Sequence, residues 1–164
     1  MASNIFNFSD VHTIATSTEL EATRGGAHIY DAVVTANIDN GRIVEVGTDL
    51  TQNQCYSYAM PSSANLVQGE IVRLESNGIY QVKVTSVASE FACLVLTSPV
   101  IKEGFNNLTR SEQFFFNGVG DIMRLYQLTA GDVFGVTVEG FSGTPEVGAT
   151  VTVDTTTGIL VVDD

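Results

Sequence analysis

Tryptophan is absent from this 164-residue chain, and histidine occurs only as His12 and His28. Without tryptophan or a clustered aromatic platform there is little for a sugar ring to stack on, which weighs against carbohydrate chemistry. Basic residues are also scarce: 7 Lys and Arg stand against 19 Asp and Glu, for a net charge of −12. Counterion release at nucleic acid needs a basic stripe, so nucleic-acid partners are excluded, and the same balance disfavours anionic membrane surfaces. Cys55 and Cys93 lie in different segments without CxxC spacing. They read as buried or half-buried thiols of a reducing compartment, with a disulfide or a metal site as the alternatives. No apolar run approaches the length of a membrane-spanning helix. The first ten residues, MASNIFNFSD, carry neither a positive n-region nor an apolar h-region, so no signal peptide is expected.

Motifs for catalysis or cofactors are equally thin. Gly118-Val-Gly120 supplies two glycines of a dinucleotide fingerprint, but Met123 stands at the third position and the flanks read as hairpin arms. Gly140-Phe-Ser142-Gly143 has the wrong spacing for a nucleophile elbow. His12 lies in an N-terminal stretch where a general base lacks fixed geometry, and His28 opens a strand, so both read as solvated or packed. Asn37 and Asp39 resemble the start of a calcium loop. Gly41 then falls where another oxygen ligand is needed, and no Glu closes twelve residues. The pairs Glu19/Glu21 and Asp163/Asp164 read as solvated acids. The expectation is a protein without enzymatic activity, metal or cofactor.

What the chain does contain is β signal. Hydrophobic residues make up 44% and charged residues 16%, the latter well below the roughly 25% of an ordinary soluble domain. Its surface must therefore be largely Thr, Ser, Asn, Gln and Gly. Residues 1–24 read either as a short helix capped by Ser9 or Asp10, or as an extended arm that orders on contact; their Ser and Thr content favours the arm. Gly25-Gly26 marks a break. From there β-branched and aromatic runs alternate with turn residues. Asn40-Gly41 between HIYDAVVTANI and RIVEV predicts a hairpin, as does Asn77-Gly78 between IVRLE and IYQVKVTSV. FFF, NGVGD and IMRLYQL predict a third, and ATVTVD-TTTG-ILVV a fourth. FACLVLTSPV suits a central strand buried on both faces. About nine or ten such strands imply an all-β fold, a small β-sandwich or β-barrel of short antiparallel strands and hairpins. Leu66-Val-Gln-Gly69-Glu70 echoes Leu128-Thr-Ala-Gly131-Asp132. Residues 25–164 thus form one β domain, or two β subdomains divided near residue 104 if the echo marks a duplication. The five tyrosines read as core or inter-strand packing. Phe114-Phe115-Phe116 reads as a doubly buried strand or an apolar patch for a partner chain.

Several segments resemble head decoration (cement) proteins of tailed bacteriophages. These are His28-Ile-Tyr-Asp-Ala-Val33 with Asn37-Ile-Asp-Asn-Gly-Arg-Ile-Val44, Arg110-Ser-Glu-Gln-Phe-Phe-Phe-Asn117 through Gly120-Asp121, Arg124-Leu-Tyr126 and Leu128 to Phe134, and Phe141-Ser-Gly-Thr-Pro-Glu-Val-Gly148. With the valine-rich hairpin that follows Gly148, these segments cover about a third of the chain. It implies a non-enzymatic virion protein on the capsid exterior, made in the host cytoplasm, that binds the major capsid protein and stabilises the mature shell. It also implies a homo-oligomer, a trimer above other states, and an N-terminal arm that makes the capsid contact. The apolar arm residues Ile5, Phe6, Phe8, Val11 and Ile14 are then the candidate partner-binding positions. Deleting residues 1–22 should accordingly abolish binding and leave the thermal transition nearly unchanged. The alternative is a phage tail, baseplate or host-adsorption β-sandwich that binds carbohydrate or another virion protein.

Overall fold

The computed structural model describes residues 13, 15, 29–50, 55–76, 78–97 and 116–163. Among these, β-branched and aromatic residues supply the strands β1 (Ile29–Val33), β2 (Ile43–Leu50), β3 (Cys55–Ala59), β4 (Val67–Leu74), β5 (Tyr80–Val87) and β6 (Ala92–Val95). The series continues with β7 (Ile122–Gln127), β8 (Val133–Val136), β9 (Phe141–Ser142), β10 (Thr150–Val153) and β11 (Leu160–Asp163). One 3-10 turn, Val138–Gly140, precedes β9. The fold is all-β, as the patterning predicts. Of the two architectures held open above it contains the barrel, closed in the order β1-β3-β2-β6-β7, beside a six-stranded sheet in the order β8-β5-β4-β10-β11-β9. Most pairs are antiparallel, but β1 with β3 and β9 with β11 run parallel.

The two units meet through β6. Its four residues are all buried, and alternation sends them to different cores. Cys93 and Val95 point into the barrel with Ala32, Val44, Met123 and Leu125. Ala92 and Leu94, together with Ile43 and Leu96, pack on Val82, Phe134, Val151 and Leu160 of the second sheet. This is the doubly buried strand expected at FACLVLTSPV. Gly158, in the turn between β10 and β11, adds a polar link, because its carbonyl accepts the Ile43 N–H at 2.8 Å. A Cβ there would stand 2.3 Å from the Ile43 carbonyl oxygen, so only glycine permits this approach.

Two of the four predicted hairpins form as expected. β4 and β5 pair around Gly78 at φ 88°, whose N–H donates to the Glu75 carbonyl at 3.0 Å. β10 and β11 pair around an Asx turn in which Asp154 Oδ1 accepts the N–H groups of Thr156 and Thr157 at 2.6 and 3.2 Å.

The other two are corrected. Gly41 does adopt the left-handed conformation at φ 84°, yet β1 and β2 are not neighbours, since β3 lies between them. A turn signal licenses a reversal without choosing the strand that pairs next. Likewise β7 pairs with β1 and β6, and Asn117 bridges Ile38 instead of pairing with β7. Phe114 and Phe115 lie outside the described residues, and Phe116 is half-buried. The internal echo is not repeated in geometry: Gly69 sits inside β4 at a bulge with Glu70 exposed, whereas Gly131 turns at φ 99° before a buried Asp132. Both the barrel and the second sheet take strands from each side of residue 104.

Because β6 belongs to both cores, Leu94→Ala is expected to cost about 3 kcal/mol. Barrel and second sheet should still unfold together. Denaturant titration followed by far-ultraviolet dichroism and by tyrosine fluorescence checks this, and the two curves should superimpose.

Candidate interaction surface

The outward face of β1 and β7 carries two exposed apolar side chains, Ile29 and Ile122. Antiparallel register pairs Ile29 with Tyr126, Asp31 with Arg124, and Val33 with Ile122. These rows point away from the barrel interior, while Tyr30, Ala32, Met123 and Leu125 pack inside it. Ile29 and Ile122 are each about half exposed. Between them Arg124 Nε lies 3.8 Å from Asp31 Oδ1, both side chains about half exposed. An ion pair so open to solvent contributes under about 1 kcal/mol to folding, so this pair is better placed to orient a partner than to hold the fold. Asp31, Thr97, Ile122 and Arg124 line a shallow concavity of about 280 Å³. Val119, in the turn before β7, is also half exposed, and its N–H donates to Asn37 Oδ1 at 3.1 Å. Apolar side chains grouped around a charged pair on a rigid sheet suit contact with protein.

A buried amide network fixes this face from below. Asn40 donates through Nδ2 to the Thr97 carbonyl at 2.8 Å and accepts the Thr97 N–H at Oδ1 at 3.0 Å. Asn117 Nδ2 donates to the same Oδ1 at 3.1 Å and to the Ile38 carbonyl at 3.0 Å. The Thr97 hydroxyl in turn accepts the Arg124 N–H at 3.0 Å. Three segments distant in sequence are thereby locked together, and leaving the buried Asn117 amide unpaired would cost about 1–3 kcal/mol.

A second polar cluster sits where the N-terminal segment returns to the body. Arg42 pairs with Asp39 at 3.5 Å and donates to the Thr13 hydroxyl at 3.2 Å, while the Thr13 N–H donates to Asp39 Oδ2 at 3.3 Å. Burial pulls the Arg42 guanidinium below its ordinary range, and neighbouring Asp39 partly offsets the effect. Thr13 and Ala15 are both buried, and Ala15 joins the core of the second sheet. At these two positions the N-terminal stretch packs on its own chain, which corrects the expectation that its removal leaves stability nearly unchanged.

The predicted partner-binding residues Ile5, Phe6, Phe8, Val11 and Ile14 lie outside the described residues, as do His12 and His28. The tyrosines behave as expected: Tyr30 and Tyr56 meet edge to face at 5.0 Å, and Tyr80 does so with Phe141 at 5.7 Å. Cys55 and Cys93 are free and buried. Burial pushes the Cys93 thiol up to about 12. Among the described residues no three or more His, Cys, Asp or Glu side chains gather as a metal site. Sequence reading did not place Ile29, Val119, Ile122 or Arg124 among the candidate contact residues. Ile122-Met-Arg-Leu125 is apolar on both sides of its alternation at Ile122 and Met123, so the pattern does not reveal which face turns outward.

Two measurements follow. Cys93 keeps its proton in the fold while an unfolded thiol ionises near 9, so its contribution to stability is intact below about pH 8 and declines as pH rises from about 9 towards 12. Native protein should resist iodoacetamide at pH 8.5 and react fully in 6 M guanidinium chloride. Deleting residues 1–22 exposes the Ala15 site and strips Arg42 and Asp39 of their Thr13 contacts. The loss should be about 2 kcal/mol by denaturant titration.

Comparison of this chain with protein-family models, with curated proteins and with solved structures found no match.

Proposed function

We propose that this chain is a non-enzymatic structural protein of a tailed-bacteriophage virion that binds the outside of the head and stabilises the mature shell. The observation that carries the reading is where the resembling segments fall. Residues 28–44 and 117–126 are far apart in sequence, yet β1 pairs with β7 and Ile38 bridges Asn117. Two separate stretches that resemble decoration proteins thus build one face, and that face bears half-exposed Ile29 and Ile122 around Asp31 and Arg124.

The partner is the major capsid protein. A chain with few charges and a net charge of −12 meets it through apolar and hydrogen-bonding contact rather than long-range steering, and its acidity keeps a coated particle soluble. Stabilisation works by mass action. A ligand that binds only the mature lattice adds RT ln(1 + [L]/Kd) per site, about 2.7 kcal/mol when its concentration is a hundred times Kd. Many copies, grouped as homo-oligomers, sum that term over the shell.

Sedimentation of purified protein with expanded and with immature heads tests the proposal. Binding to expanded heads alone is expected. The double variant Ile122→Asp, Arg124→Glu should weaken it at least tenfold with a thermal midpoint within about 3 °C of the parent, because both side chains are exposed. Failure to bind any head form would sink the reading, and binding to tails or to glycans in its place would move the protein to the adsorption apparatus.

A further inference from the structure

Thr13 and Ala15 fill a slot between the barrel and the second sheet that is cut to their shape. Thr13 is 1% exposed and Ala15 4%. The slot offers Asp39 to a backbone N–H and Arg42 to a hydroxyl. Its wall is made by two glycines: a Cβ on Gly140 would stand 2.8 Å from Thr13 Cγ2, and one on Gly41 would stand 3.0 Å from the same methyl and 3.6 Å from the Ala15 Cβ. The site therefore reads an N–H, a hydroxyl, a branched methyl and a second small side chain two residues further on. That is the chemistry of a short Thr-x-Ala segment.

We propose that this slot is a peptide-binding site, and that its ligand is also supplied by the Thr13–Ala15 segment of a second copy, so that adjacent copies are joined by exchanging N-terminal segments. The spacing of the chain supports this. Residues 16–28, which connect the bound segment to β1, reach about 45 Å when extended. That is about three times the ~15 Å radius of gyration of a compact chain of this length. A neighbour's slot is within the same reach as the chain's own. Exchange preserves every contact in the slot, so only the effective concentration decides which copy fills it. In dilute solution the chain fills its own slot; copies crowded side by side exchange. The inference stands whether or not the crowding is that of a capsid.

The test uses the folded full chain with a specific protease site inserted between Gly25 and Gly26. After cleavage, a fluorescently labelled synthetic peptide of residues 1–24 should displace the nicked segment, read as a rise in anisotropy. The same peptide carrying Thr13→Asp should bind at least tenfold more weakly. A second arm needs no cleavage: full-length Thr13→Asp, which has an intact slot, is mixed with full-length Gly140→Val, which has an intact segment. The mixture should form one-to-one heterodimers by native mass spectrometry at concentrations where neither variant alone associates. Equal binding of both peptides overturns the slot. Failure of the labelled peptide to enter overturns it too, as does unfolding on cleavage that excess peptide does not reverse. Peptide binding without heterodimers at 100 μM protein overturns exchange between copies.

Discussion

Complete burial of one four-residue strand governs this molecule. β6 contributes Cys93 and Val95 to the barrel interior and Ala92 and Leu94 to the sheet packed outside it. A strand buried on both faces cannot tolerate a register shift, because a slip of one residue would exchange the two cores. The order β2-β6-β7 follows from that constraint, and β1 is left to close the barrel against β7. Closure removes free strand edges from the barrel, which leaves the outward face of its sheet available for contact.

Polar chemistry then finishes what apolar burial begins. The Asn40, Thr97 and Asn117 network ties the end of β6 to the loops flanking β1 and β7. The Arg42, Asp39 and Thr13 cluster ties the N-terminal segment to the seam between barrel and sheet. A buried guanidinium is costly unless it is paired, and here its partners come from the turn after Ile38 and from Thr13. The same small region therefore supports the exposed β1–β7 face and holds the N-terminal segment. On the proposed reading docking gains from this arrangement, since a surface held by such networks loses little order on binding.

The strands themselves were plainly legible. Asn77-Gly78 and Asp154 through Gly158 mark turns whose flanking strands do pair, because there the nearest apolar run in sequence is also the best partner in space. Asn40-Gly41 looks the same locally and behaves differently. Its glycine turns as expected, but the Asn40 amide is drawn inward to Thr97 and β3 takes the place beside β1. The expected contact residues Ile5, Phe6, Phe8, Val11 and Ile14 lie outside the described residues, and ambiguous alternation hides the outward turn of Ile29 and Ile122 from the sequence.

By itself the sequence determined an acidic, lightly charged all-β chain, the run that would be buried on both faces, and turns that need glycine. These are properties of short stretches: side-chain alternation, backbone dihedral preference and composition act over a few residues. Only the tertiary structure decided that β1 pairs with β7, that Asn40 reaches Thr97 and Asn117, and that Thr13 and Ala15 enter a slot walled by Gly41 and Gly140. Each of those outcomes depends on which distant apolar surfaces are buried together, and local pattern leaves that choice open.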